Sequence, residues 1–151
     1  MLQENKESIS KKVEKYRKDV EELARFLPWL EGKQGEDLTK KVDPGEGKAN
    51  TMQVPVYDST LLGFIKKAQN TAFMDRNYMY AYRRLRIQSE KDELRCIDET
   101  QIMEIENIGS ILSSYVLRGR TKGPVWNEGV RNGVYYHAVK RMKELIDFWT
   151  A

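Results

Sequence analysis

Apolar positions at Ile9, Val13, Tyr16, Val20, Leu23, Leu27 and Leu30 alternate steps of four and three. That 3.5-residue period predicts one long helix with a narrow apolar stripe. Lys11, Lys12, Glu14, Lys15, Lys18, Glu21 and Glu22 fill the other faces, several at spacings open to helical ion pairs. Pro28 brings no amide donor and clashes with the preceding turn, so the helix is expected to end or kink near 26–29.

The next stretch, EGKQGEDLTKKVDPGEGKAN over 31–50, carries four glycines, one proline and almost no apolar residue. It reads as a glycine-rich loop or linker. MQVPVYD then reads as a short extended stretch, because Pro55 excludes a central strand.

From Asp58 onward the helical signals dominate. Asp58 suits the N-cap of a helix burying Leu61, Leu62, Phe64, Ile65 and Ala68, and Asp75 suits that of one burying Tyr78, Ala81, Tyr82 and Leu85. Ser89 with Asp92 three residues on marks a short helix through Leu94 and Ile97. Ile105, Ile108, Ile111, Leu112, Tyr115 and Val116 line a longer one, with Arg118-Gly119 as its stop. Gly123-Pro124 opens a turn of helix with Trp126 and Val130, and Asn132-Gly133 breaks it. Val134, Ala138, Met142, Leu145 and Trp149 mark the last helix. The expectation is an all-α bundle of five to seven helices, divided into an amphipathic helix (1–30), a flexible loop (31–50) and a helical core domain (51–151).

Composition narrows the chemistry. At 151 residues the chain holds one domain, and 40% hydrophobic with 10% aromatic residues argue for a folded one. No apolar run is long enough to span a bilayer, and MLQENKESISKK lacks the apolar middle of a signal peptide, so the expected compartment is the cytoplasm. One cysteine (Cys96) and one histidine (His137) exclude an internal disulfide, a Cys/His zinc cluster and a two-histidine metal site. No metal or cofactor is expected.

The net charge of +3 is unevenly spread. Residues 1–50 are neutral, with 11 basic and 11 acidic side chains, whereas 112–143 hold seven basic residues against the single acid Glu128. In DRNYMYAYRRLR, arginine and tyrosine interleave. Arg76, Tyr80, Arg83 and Arg84 are expected on one exposed face, a composition that stacks bases and neutralises phosphates or meets an acidic protein. A merely solvated basic face is the competing reading. Arg118, Arg120 and Lys122 converge on the helix start at Gly123-Pro124, where free amides favour an anion. DPGEGKAN fails as a phosphate loop, because Val42 and Ala49 stand where a glycine and a hydroxyl are required.

Arg131-Asn132 followed by His137 resembles the arginine and histidine motif of HEPN ribonucleases, which implies phosphate support by Arg131 and acid/base transfer by His137. Against it stands a half-buried helix histidine beside an end-of-helix charge. The stripe Ile9, Val13, Tyr16, Val20, Leu23 and Leu27 must pack on something: the protein's own body, a second copy or another protein.

LARFLPWLE, VPVYDSTLLGFIKKA, FMDRNYM and ILSSYVLRGRTKGPVWNEGVRNGVYYHAVKRMKEL together resemble a bacterial domain of unknown function from Gram-positive genomes and their mobile elements. The shared pattern includes Trp126, Val130 and Gly133. The resemblance implies a small helical intracellular protein, transfers no functional residue and leaves Arg131 and His137 outside the pattern. Three functions are thus expected in turn. The first is a non-enzymatic module of a bacterium, phage or mobile element that binds a protein partner, an inhibitor of a host defence nuclease being one version. The second is nucleic-acid binding by the basic face, and the third an HEPN-like ribonuclease.

Overall fold

Pro28 divides the N-terminal stripe in two. The computed structural model describes residues 2–35, 40–41, 55–56 and 58–150. In it, α1 spans Leu2–Ala24, the chain turns at Arg25 and Phe26, and α2 spans Leu27–Lys33. Pro28 stands in the first turn of α2, where its missing amide costs no intrahelical bond. Six more helices follow: α3 (Ser59–Gln69), α4 (Tyr78–Arg84), α5 (Glu90–Glu99), α6 (Ile105–Arg118), α7 (Pro124–Arg131) and α8 (Val134–Thr150). Eight helices among the described residues therefore stand where five to seven were expected, and α2 is the addition.

Among the described residues the one extended pairing is antiparallel, with Lys40 opposite Val56 and Lys41 opposite Pro55. The expected loop begins later than 31, since α2 runs to Lys33 and Gly35 turns back at φ +82° to donate its amide to Arg131 O (2.8 Å). Apart from 31–35, Lys40 and Lys41, the remainder of 31–50, DPGEGKAN included, lies outside the described residues.

The core is built round α6. Eleven of its 14 residues are buried, so it behaves as a central helix rather than an amphipathic one. On one side α8 packs Val134, Tyr135, Ala138, Val139, Met142, Leu145 and Ile146 into the same core. The α1 stripe lies along α8 and also meets α3. Val13, Tyr16, Val20 and Leu23 are buried there, Ile9 and Leu27 pack at the margin, and the Tyr16 ring stacks on Phe73 at 4.3 Å between centroids. The stripe put forward as a protein interface is thus internal: a narrow seam gains most by closing on the chain's own apolar face.

Two caps stand where the sequence puts them. Asp58 accepts from the amides of Thr60 (2.7 Å) and Leu61 (3.4 Å). Ser89 accepts from Asp92 N, while the Asp92 carboxylate accepts from Gln88 N, so the two side chains close the start of α5 reciprocally. Asp75 does not cap α4. Its carboxylate accepts from Asn77 N and from the Ser110 hydroxyl, and its amide donates to Ser113 Oγ (2.8 Å). These bonds dock residues 71–77 on α6, where Gly109 leaves room for Phe73: a Cβ there would stand 2.8 Å from its ring. Leu62, expected inside, is exposed on the outer face of α3.

Candidate functional site

The basic and aromatic residues of α4 divide between its two faces. Tyr82 turns inward and Ala81 is buried, while Met79 and Tyr80 project outward, Tyr80 with 69% of its surface exposed. Arg83 and Arg84 follow Tyr80 by three and four residues, which puts both guanidinium stems one turn along from the ring. Arg84 is steadied by a bond from Nη2 to Asn107 Oδ1 on α6 (2.8 Å). Arg76 is exposed but falls in the turn before the helix rather than on it.

Arg86 ends this helix in a left-handed conformation, φ +56°, the only non-glycine residue among the described ones to adopt it. Its amide donates to Arg83 O and the next one, Ile87 N, to Tyr82 O, which is the usual closure of a helix by a glycine. Arginine there costs about 1 kcal/mol relative to glycine.

Behind α4 lies a polar cluster that the sequence does not announce. Glu93, in the first turn of α5, is only 4% exposed and accepts from Tyr82 Oη (2.5 Å) and Tyr115 Oη (2.6 Å). Asn132 Nδ2 donates to the Tyr115 hydroxyl from the end of α7 (2.9 Å). Burial, together with the Glu93 charge and the bonds to it, pushes both phenols well above the ordinary tyrosine range. The rings are therefore held neutral and fixed.

Arg118 stands at the edge of this cluster. Its Nε donates to Ser114 O (3.1 Å) and Ser114 Oγ (2.9 Å), and its guanidinium lies 5.0 Å over the Tyr115 ring. The two terminal nitrogens have no partner among the described residues. An open cleft of about 330 Å³ is lined by Tyr82, Glu93, Tyr115 and Arg118 together with the segment from Ile87 to Glu90. A second cleft of about 560 Å³ adjoins it, sharing Tyr82, Ile87 and Gln88 and adding Arg83 and Arg86.

The anion site expected at Gly123-Pro124 is not formed. Pro124 has no amide, Val125 N donates to Lys122 O (3.0 Å) and Trp126 N to Gly123 O (3.3 Å), so the amides that would hold an anion are used within the turn. Arg118 points back to Ser114, leaving Arg120 and Lys122 as exposed loop charges. No hydrogen bond joins Arg131 to His137. Arg131 is exposed at the end of α7, and the half-buried His137 ring meets Tyr136 edge-on at 5.4 Å. Cys96 is half-buried, and burial raises its thiol pKa, the reverse of nucleophile activation. Among the described residues no helix is long and apolar enough to cross a membrane, and no three His, Cys, Asp or Glu side chains gather as a metal set.

Sequence reasoning placed Tyr80, Arg83 and Arg84 on the surface, counted Arg86 in the same basic cluster, and missed Glu93, the left-handed turn at Arg86 and the two clefts. Tyr82 and Tyr115, read as inward-facing, carried the available signal, because a buried phenol needs a hydrogen-bond partner. Compared with family models, curated proteins and solved structures, the chain matches none.

Proposed function

We propose that this protein is a non-enzymatic helical module that binds single-stranded nucleic acid on the exposed face of α4. The observation that carries the proposal is the Tyr80 ring, which is large, open to solvent and one turn from Arg83 and Arg84. An exposed ring supplies a stacking platform for a base of any identity, and flanking guanidiniums neutralise the adjoining phosphates. Arg76 and Arg86 extend the charge beyond both ends of the helix.

Binding of a protein through the N-terminal stripe has less support, because those side chains are packed in the core. An acidic protein surface would use the same α4 charges but has no need of the ring. The kinship proposed with the bacterial family of unknown function adds no activity. Titration of a fluorescein-labelled ten-nucleotide RNA should give saturable binding that Tyr80→Ala removes. Undiminished binding by Tyr80→Ala, or binding of an oligoglutamate peptide in place of the RNA, overturns the proposal.

A further inference from the structure

The α4 surface continues past Arg84 into the paired clefts at the helix end, and four features there fit one ligand. Tyr82 and Ile87 form an apolar wall common to both clefts. The ring of Tyr82 cannot swing away, because Glu93 holds its hydroxyl. Arg118 is fixed through Nε and over Tyr115, yet its terminal nitrogens remain unpaired among the described residues, a fork already set for a phosphate or carboxylate. On the other side, Arg86 keeps its guanidinium at a position where glycine would relieve the backbone.

We infer that these clefts form a single-nucleotide pocket, in which one unstacked base of the bound strand lies against Tyr82 and Ile87 and its two flanking phosphates meet Arg118 in the first cleft and Arg86 in the second. The assignment rests on the α4 reading above and adds to it a preference among bases. Glu90 and Gln88 line the first cleft. A carboxylate beside the base edge favours an exocyclic amine, so adenine and cytosine suit the pocket better than uracil, whose single N3–H is flanked by two carbonyl oxygens that the carboxylate repels.

Labelled ten-nucleotide oligo(A), oligo(C) and oligo(U) RNAs, titrated against wild type, Arg86→Gly, Arg118→Lys and Tyr80→Ala, test the assignment. Wild type should bind oligo(A) and oligo(C) more tightly than oligo(U) by about fivefold or more. Arg86→Gly and Arg118→Lys should weaken all three RNAs alike, whereas Glu90→Gln, titrated beside them, should lose most of that difference. Arg86→Gly should melt no lower than wild type, so its loss of affinity is not loss of fold. If both arginine variants keep wild-type affinity and preference while Tyr80→Ala abolishes binding, the pocket is wrong and the α4 reading stands. If wild type binds no oligonucleotide, both fall.

Discussion

The Tyr115 hydroxyl donates to Glu93 Oε1 across 2.6 Å, tying the centre of the core to the first turn of α5 through a carboxylate that water scarcely reaches. Tyr82 holds the second oxygen. Glu93→Ala leaves two phenols without their acceptor and should cost about 2–4 kcal/mol. Glu93→Gln keeps one carbonyl acceptor and should cost less. Urea denaturation of both variants measures this, and equal losses would show that packing volume, not hydrogen bonding, is what Glu93 contributes.

The same cluster gives the protein an alkaline weakness. Both phenols ionise near 10 in the unfolded chain and higher in the folded one. A raised folded value means that the stabilisation is complete below about 10 and is lost as pH climbs from there toward the folded values. Unfolding free energy should therefore fall as pH rises above about 10. The fall should be shallower in the Tyr82→Phe, Tyr115→Phe double variant, and identical slopes would contradict the assignment.

Gly129 packs directly beneath the Tyr135 ring, and a Cβ there would collide with it. Gly129→Ala should destabilise by about 1–3 kcal/mol through overpacking. Gly32 in α2 has open space around it, so Gly32→Ala should be neutral or stabilising by up to about 1 kcal/mol. Thermal melts of the two variants separate a packing glycine from a tolerated one.

Leu23, fully buried in α1, tests where the N-terminal stripe belongs. Leu23→Ala should cost about 2–5 kcal/mol, as a core leucine does. Removal of residues 1–24 should expose the α8 face and unfold the remainder. A truncated protein with full helical content and a cooperative melt would instead mark α1 as an appendage.

These contrasts show what was legible in the amino-acid order. Asp58 and Ser89 were read correctly as caps because their partners lie within four residues, whereas Asp75 was misread as one, its partners Ser110 and Ser113 being 35 and 38 residues away. Gly119 was legible as a helix end for an incomplete reason. Its φ of −67° is ordinary, and what excludes a side chain is the Trp126 ring, whose Nε1 donates to Val116 O. Glu93 hid among charged neighbours in EKDELR, since one inward acid at helical spacing looks like any surface acid until two tyrosines from elsewhere in the chain arrive beside it. The charge of Arg86 was legible beside Arg83 and Arg84, but its positive φ was not, because that is a property of the turn and not of the residue.

On the proposed α4 surface, Tyr80 stacks on a base and the arginines meet phosphates. The most direct test is the salt dependence of binding to a labelled single-stranded RNA, read by fluorescence anisotropy on wild type and Arg83→Ala. Contact with about three phosphates predicts that the logarithm of affinity falls against the logarithm of salt with a slope near −2, and that Arg83→Ala makes it shallower by about 0.7. Affinity that does not change with salt, or a slope untouched by Arg83→Ala, would contradict it.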